Sequence, residues 1–160
     1  MFSSTFISST VIALAVIAGV RAESHTVSFS NNCGHGTPTL RSQSGAVLST
    51  GSAFTINGPL IGAIAYLQTG PCGANGENCV LVETTLKNPT TPGSGSSTDL
   101  SLIPPHAFQI TTGFRYTNGC SGSADCTGPN CPQAFHNPGQ TGVQVPCQVN
   151  NVDLVITFCE

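Results

Sequence analysis

Charged side chains are scarce in this sequence. Only four lysines or arginines and seven aspartates or glutamates occur among its 160 residues, and the net charge is −3. So few basic groups provide no positive surface, which excludes binding to nucleic acid or to an anionic membrane. Solubility must instead depend on the abundant glycine, serine, threonine, asparagine and proline residues.

Long hydrophobic runs are also missing. The run VIALAVIAGV, residues 11–20, has the length of a signal-peptide core and is too short to span a bilayer. A small residue, Ala22, follows at a suitable cleavage point, with Ser24 as the alternative point. The sequence therefore predicts a signal peptide over residues 1–22 and one secreted domain over residues 23–160. A buried N-terminal helix is the alternative, but strand-like sequence follows at once.

All eight cysteines lie after the predicted signal peptide. An even number in a secreted chain predicts disulfides, although the spacing leaves their connectivity open. Zinc binding by Cys120, Cys126, Cys131 and His136 is the alternative, but it needs a reducing compartment and a tighter spacing. Cys159 follows the strand-like run VDLVITF and is interpreted as an anchor for that strand, because chain ends otherwise fray.

Helical periodicity is nearly absent after the signal peptide, whereas alternation of apolar and polar residues is frequent. The segment CVLVETTL places Val80, Val82 and Leu86 inward, with Leu81, Glu83 and Thr85 outward. The segment LIGAIAYLQTG is apolar on both faces, which predicts a strand buried between two layers. Turn signals such as INGP and HNPGQ separate the runs. Many short strands of this kind predict an all-β fold, either a sandwich or a barrel.

One low-complexity segment, NPTTPGSGSSTD, covers residues 88–99. Its composition predicts a flexible surface loop, and its serines and threonines are candidates for O-glycosylation. N-glycosylation is not expected, because no Asn-x-Ser/Thr sequon occurs and Asn88 precedes a proline.

Familiar catalytic motifs are absent. The chain contains no G-x-S-x-G, no H-E-x-x-H and no phosphate-binding loop, and paired cysteines leave no thiol nucleophile. Glu83 and Asp99 are the candidate acid pair, since two carboxylates in one cleft could serve as acid and nucleophile, or acid and base, on a glycosidic bond. The alternative is that both are ordinary outward-facing solubilising residues.

A copper site is a further hypothesis. If cleavage followed Ser24, His25 would become the N-terminus and could bind copper through its amine and its ring. A second imidazole would come from His35, His106 or His136. A surface histidine near an ordinary cleavage site is the simpler interpretation.

Aromatic residues are few, and tryptophan, the usual platform for a sugar ring, is absent. Tyr66, Phe114 and Tyr116 are candidates for stacking on sugars. Aromatic residues at alternating strand positions are more often part of a core, which is the alternative for all three.

Several segments, taken in order, resemble thaumatin-like proteins. VSFSNNCG, GSAFTI and the terminal VDLVITFC are similar to the opening and closing segments of that family. LVETTL, TDLSLIPPHAFQI and NGCSGSADCTGPNCP resemble its Glu-bearing strand, its Asp-bearing segment and its cysteine run. The likeness covers essentially all of residues 23–160. It is closest to short members that lack most of the second domain, including small secreted basidiomycete proteins often labelled glycopeptides.

The resemblance implies a disulfide-rich, thaumatin-like β-sandwich of about ten strands, with the second, cysteine-rich domain reduced to a short loop region. It also implies four disulfides: Cys33–Cys159, Cys72–Cys79, Cys120–Cys147 and Cys126–Cys131. The residues agree on two of these pairs. Cys72 and Cys79 flank a short glycine-containing loop, and Cys33 and Cys159 each follow a strand.

Many members of this family carry a cleft of one Arg, one Glu and three Asp that is associated with binding or slow hydrolysis of β-1,3-glucan. By resemblance, Glu83 matches the cleft Glu and Asp99 matches the first Asp. Pro105 and His106 stand where the next Asp is expected, and AYLQTGPC provides no arginine. The expected ligand-binding residues are therefore Glu83, Asp99, His106 and Tyr66, with at most weak catalysis by the two acids.

The resemblance thus implies a secreted or cell-wall-associated protein that binds β-glucan with little or no hydrolysis. Alternatives are an inhibitor or effector acting on a secreted protease or glycosidase, and a weak endo-β-1,3-glucanase. A rigid scaffold presenting the loops 87–98 and 121–142 favours the inhibitor. A monomer without cofactor or metal is expected.

Overall fold

The computed structural model describes residues 22–160, so residues 1–21 of the predicted signal peptide lie outside the described residues. The described chain is all-β, as the alternation predicted. Its strands are β1 (His25–Asn31), β2 (Thr37–Arg41), β3 (Val47–Ser49), β4 (Phe54–Ile56), β5 (Leu60–Gln68), β6 (Leu81–Leu86), β7 (Ser96–Ser101), β8 (Thr112–Thr117), β9 (Ser123–Cys126), β10 (Ala134–Phe135), β11 (Val145–Cys147) and β12 (Asp153–Phe158).

The strands form two sheets. The five-stranded sheet has the order β4-β1-β12-β8-β9, and the seven-stranded sheet has the order β10-β7-β6-β5-β2-β3, with β11 also paired to β7. Strands β1 and β12 pair in parallel, with Val27 opposite Leu154, whereas β5, β6 and β7 pair antiparallel with one another. The first and last strands therefore lie side by side inside one sheet.

The main core lies between the sheets and is built from inward-facing residues of both. On the seven-stranded side, Val80, Val82 and Leu86 are fully buried, as the alternation predicted. Residues Phe114, Leu154, Ile156 and Phe158 supply the opposite side. Burial of aliphatic and aromatic side chains of this size contributes about 1.5–3 kcal/mol each.

A β-bulge alters the predicted faces of β5. Between Leu60 and Ala63 the register with β6 shifts, so that Ile61 and Gly62 together lie opposite Thr85. The Gly62 backbone has a φ of 57°, and its N–H donates a 3.0 Å hydrogen bond to Thr85 Oγ1. Because of the extra residue, Leu60 points into the core and the Ile61 side chain is 45% exposed. Strict alternation would instead place Ile61 on the same face as Ala63 and Leu60 on the opposite face.

A second, smaller core explains why β5 is apolar on both faces. Tyr66, Cys72, Cys79 and Leu81 form a separate buried cluster, against which Ile64 packs. The Cys72–Cys79 disulfide ties the β5–β6 connection over this cluster. The predicted burial between two layers is therefore confirmed, although the outer layer is a loop rather than a sheet.

Four disulfides join the eight cysteines, in the connectivity that the resemblance implied: Cys33–Cys159, Cys72–Cys79, Cys120–Cys147 and Cys126–Cys131. The zinc hypothesis is wrong, because Cys120, Cys126 and Cys131 all form disulfides. Four disulfides in a domain of this size are typical of proteins that fold in an extracellular or secretory environment. Between residues 22 and 160, no helix is long and apolar enough to cross a membrane.

The cysteine-rich segment between Cys120 and Cys147 is more than the short loop region expected. It contributes three short strands to the sheets. Strand β9 extends the five-stranded sheet beside β8, while β10 and β11 both pair with β7 in the other sheet. Strands β10 and β11 of this segment thus pair with two different parts of β7 at the edge of the seven-stranded sheet.

The low-complexity segment 88–99 is only partly a surface loop. Its second half belongs to β7, where Ser96 and Thr98 are buried. In its first half, side-chain oxygens accept from backbone N–H groups: Ser94 Oγ from Thr90 and Thr91, and Gln148 Oε1 from Gly93 and Gly95. Composition alone does not reveal these hydrogen bonds, because Gln148 lies far along the chain.

Candidate functional site

Glu83 and Asp99 are brought together by the β6–β7 hairpin. The register places them directly opposite each other on adjacent antiparallel strands. Their neighbours Val82, Thr84 and Thr98 face the core, so the two acids face the outer surface of the seven-stranded sheet. Directly opposed side chains have Cβ atoms about 4.5–5.5 Å apart, which puts two acidic groups in contact. The sequence-predicted pair is therefore one structural unit.

The edge partner of β7 changes at Asp99. Strand β10 pairs with Leu100 and Ser101, whereas β11 pairs with residues 96–98. The connection between β10 and β11, residues 136–144, leaves the sheet at this point. It forms the wall of a groove of about 530 Å³ whose floor holds both acids.

The groove is lined mainly by neutral polar groups. Thr85 and Ser97 flank the acids on the strands, and Gln140, Thr141 and Gln144 come from the wall. Three apolar side chains, Ile103, Phe135 and Pro138, complete it. In the described chain no basic side chain lines this groove, so the acids carry its only charge.

The carboxyl group of Asp99 is buried and incompletely hydrogen-bonded. It is only 5% exposed; its Oδ1 lies 3.4 Å from the Gln144 Nε2 donor, while its Oδ2 has no hydrogen-bond partner among residues 22–160. Burial, and then the neighbouring charge of Glu83, raise the pKa of Asp99 to about 7. The hydrogen bond from Gln144 opposes this rise. Near neutral pH Asp99 is therefore present in both its protonated and its ionised form.

A ladder of hydroxyl groups fixes the strands beneath the acids. Thr84 Oγ1 and Thr98 Oγ1 are 2.6 Å apart, and the Tyr116 hydroxyl lies 2.9 Å from both Thr98 Oγ1 and the Val145 carbonyl oxygen. Burial raises the pKa of Tyr116 to about 12, with the charge of Asp99 adding to the rise. The ladder links β6, β7, β8 and β11 under the groove.

The aromatic residues considered for sugar stacking are core residues. Tyr66 is 2% exposed and its hydroxyl donates a 2.9 Å hydrogen bond to the Ala74 carbonyl oxygen. Phe114 and Tyr116 are buried and pack edge to face, with ring centroids 6.1 Å apart. None offers an exposed ring face to a sugar, so Tyr66 does not belong to the groove.

His106 is also placed elsewhere. The turn that begins at Ile103 directs it toward the loop of the small core, where its Nδ1 lies 2.9 Å from the Gly76 carbonyl oxygen. Ile103 lines the groove and His106 does not. Of the four expected ligand-binding residues, the structure thus brings together Glu83 and Asp99 alone.

The copper hypothesis at His25 does not fit its surroundings. The ring is fully buried, with Nδ1 2.7 Å from the Val152 carbonyl oxygen and Nε2 3.1 Å from Glu23 Oε1. Both ring nitrogens are engaged in holding the start of β1. Across the described residues, no group of three or more His, Cys, Asp or Glu side chains could hold a metal ion.

Sequence reasoning missed the wall of the groove. Phe135 lies in the predicted loop 121–142, where HNPGQ carries strong turn signals, and Gln144 lies in the short strand-like run VQV. Their contribution depends on β10 and β11 both pairing with β7, which no local pattern specifies. Arg41 was also overlooked: it lies in the same cross-strand row as the acids, separated from Glu83 by Ile64. Its guanidinium donates to the Gly45 carbonyl oxygen rather than to Glu83.

Comparison with known proteins gives no independent assignment. No protein-family model matches the chain, and no curated protein sequence matches it. The functional argument therefore depends on the groove itself.

Proposed function

We propose that this chain is a small secreted or cell-wall-associated thaumatin-like protein that binds β-1,3-glucan in the groove over Glu83 and Asp99, with little or no hydrolysis. The all-β sandwich and the four disulfides support the thaumatin-like assignment. The polar lining supports a neutral, hydroxyl-rich ligand, since the groove provides many hydrogen-bonding groups and no basic side chain of the described chain lines it.

The observation that carries the proposal is the unpartnered Oδ2 of Asp99. Buried polar atoms in proteins nearly always have a hydrogen-bond partner, and an exception calls for a physical explanation. Asp99 lines the groove but its Oδ2 is covered, so a ligand hydroxyl can supply the missing partner after a small shift of the side chains over it. Phe135 and Pro138 provide apolar surfaces for the faces of sugar rings.

The arrangement of the two carboxyl groups argues against efficient hydrolysis. A retaining glycosidase separates its carboxyl groups by about 5–5.5 Å and an inverting one by about 6.5–9.5 Å, so that a sugar carbon or a water fits between them. Glu83 and Asp99 are instead direct cross-strand neighbours, and no arginine or further aspartate of the described chain lines the groove beside them.

Retention on insoluble β-1,3-glucan tests the proposal. The wild-type protein should be retained and release no more soluble sugar than a protein-free control. Glu83→Gln should weaken retention by about tenfold, the equivalent of one charged hydrogen bond of roughly 1.4 kcal/mol. Asp125→Asn is the matched control, because Asp125 is an exposed acid on β9 of the other sheet and should not affect retention.

Equal retention of wild type and Glu83→Gln, or no retention of either, would contradict glucan binding in this groove. Substantial sugar release that is lost in Glu83→Gln would instead support the weak-glucanase alternative.

The inhibitor alternative has one observation in its favour. The tip between β6 and β7 is rigid, because Ser94 and Gln148 accept hydrogen bonds from four of its backbone N–H groups. A preorganised loop loses little entropy on binding a protein target. Inhibition assays against secreted proteases and glycosidases would test this function if glucan is not retained.

A further inference from the structure

The tip of the β6–β7 connection presents one threonine on a tight turn. Thr91 accepts a 3.1 Å hydrogen bond from the Ser94 N–H, and Pro92 and Gly93 occupy the two central positions. Gly93 has a φ of 84°, which matches the third residue of a type II turn with proline before it. Thr91 is therefore held at the start of a rigid, outward-pointing turn.

Most hydroxyl groups of this tip are already engaged. Ser94 Oγ lies 2.9 Å from the N–H groups of Thr90 and Thr91 and 2.8 Å from the Thr91 carbonyl oxygen. Ser96 is buried and bonds the backbone of Lys87. Thr90 Oγ1 lies 3.4 Å from Ser94 Oγ. Thr91 is exposed, and its hydroxyl has no hydrogen-bond partner within residues 22–160.

The surroundings of Thr91 suit a sugar acceptor. Pro92 disfavours helical backbone at the residue before it, so Thr91 is presented in an extended conformation. Residues 88–95 carry no charge. A shallow hollow of about 430 Å³ beside Thr91 is lined by the rings of Pro89 and Pro92 together with Gln148. Exposed threonine next to proline is the composition of O-glycosylated segments.

We propose that Thr91 is an O-glycosylation site and that the first sugar packs on the Pro89 and Pro92 rings. The Thr91 hydroxyl oxygen attacks the anomeric carbon of a nucleotide- or lipid-phosphate-linked sugar supplied in the secretory pathway. A carbon–oxygen bond to Oγ1 forms, the bond from the anomeric carbon to the phosphate oxygen breaks, and the phosphate leaves with the electron pair. The hydroxyl proton passes to a base of the transferase.

A sugar at this position has a consequence for function. None of the residues at the tip lines the groove over Glu83 and Asp99, so ligand access to that groove is unaffected. The same sugar would cover the tip that the inhibitor alternative requires. Glycosylation of Thr91 is therefore compatible with glucan binding and incompatible with inhibition through this tip.

Peptide mapping of secreted protein tests the proposal. The full chain is expressed in a yeast whose secretory pathway O-mannosylates proteins, and the refolded bacterial product serves as the unmodified mass standard. Trypsin cleaves after Lys87 and Arg115 and releases a peptide, residues 88–115, that contains the tip and no cysteine. Electron-transfer fragmentation then locates any added hexose within this peptide.

The wild-type peptide should carry hexose on Thr91, and Thr91→Val should remove it. Thr90→Val should retain it, as should Thr50→Val, which changes an exposed threonine without a neighbouring proline. An unmodified wild-type peptide would overturn the proposal, as would hexose that persists in this peptide after Thr91→Val. Unchanged melting temperatures of the Thr91→Val protein would confirm that loss of sugar does not result from misfolding.

Discussion

Cys33 and Cys159 are bonded across 126 positions of sequence, with their Cα atoms 5.2 Å apart at the ends of the adjacent strands β1 and β12. This bridge closes nearly the whole described chain into one loop. Cys72–Cys79, by contrast, closes a loop of only seven positions. The two bridges therefore constrain the unfolded chain to very different extents.

The terminal bridge should contribute more stability than the local one. In the chain-entropy description, closing the longer loop stabilises by about 5 kcal/mol and closing the shorter one by about 2.4 kcal/mol. We expect the double substitution of Cys33 and Cys159 by serine to reduce the free energy of unfolding by more than the same change at Cys72 and Cys79. Denaturant unfolding under oxidising conditions measures both. Equal losses would show that native-state packing, rather than loop closure, determines the contribution of each bridge.

Asp99 should make the protein more stable in mild acid. Its folded pKa of about 7 lies above its ordinary value of 3.8, so the folded protein binds this proton more tightly than the unfolded chain does. Its contribution to stability is therefore complete below pH 4 and is lost as the pH rises through 7, by up to about 4 kcal/mol. The difference in melting temperature between wild type and Asp99→Asn, followed from pH 4 to 8, isolates this group. A difference that does not change with pH would contradict the raised pKa of Asp99.

The hydroxyl ladder beneath the groove should behave as a unit. Thr98→Val removes the partner of Thr84 Oγ1 and a partner of the Tyr116 hydroxyl, so we expect a loss of about 1–3 kcal/mol. Tyr116→Phe should add less to this variant than it costs alone, because both changes remove the same contact. A double-mutant cycle by urea denaturation measures the coupling. Additive losses would indicate that the hydroxyl groups act independently.

Gly76 should tolerate no side chain. A Cβ at this position would lie 2.6 Å from Leu81 Cδ1 and 3.0 Å from Tyr66 Cδ1, and its φ is 80°. Gly34→Ala is the matched control, since its φ is 71° and a Cβ there meets nothing within 4 Å. We expect about 1–2 kcal/mol for the control, from backbone conformation alone, and at least about 1 kcal/mol more for Gly76→Ala, from overpacking. Equal losses in thermal unfolding would show that the small core can adjust.

The sequence predicted strands more reliably than their environment. Alternation in CVLVETTL correctly assigned Val80, Val82 and Leu86 to the core, because an uninterrupted strand keeps its faces. The same reasoning was wrong for Ile61. The bulge inserts one extra residue into β5, so every residue before it points to the side opposite to the one that alternation predicts. Tyr66 was ambiguous for a related reason: a strand apolar on both sides does not reveal whether its second layer is a ligand or another part of the chain.

The site residues likewise differ in how far the sequence could predict them. Glu83 and Asp99 lie on two strands that follow each other in the chain. Their proximity depends only on the pairing of these two strands, which the sequence can suggest. Gln144 and Phe135 reach the groove only because β10 and β11 add to the edge of β7 after the chain has passed through the other sheet. Long-range pairing of this kind leaves no periodic signal in the segment itself.

The parallel pairing of β1 and β12 determines when this fold can be completed. During synthesis β1 emerges early and has only the three-residue strand β4 as a partner, whereas its other edge stays open until β12 has been made. Because β12 also joins β1 to β8, a chain interrupted before β12 lacks the centre of the five-stranded sheet. Folding must therefore be largely post-translational, and it should be slow, as expected when contacts join distant parts of a chain. Incomplete chains will keep an unpaired edge on β1 and an uncovered part of the core, by which cellular quality control can recognise them.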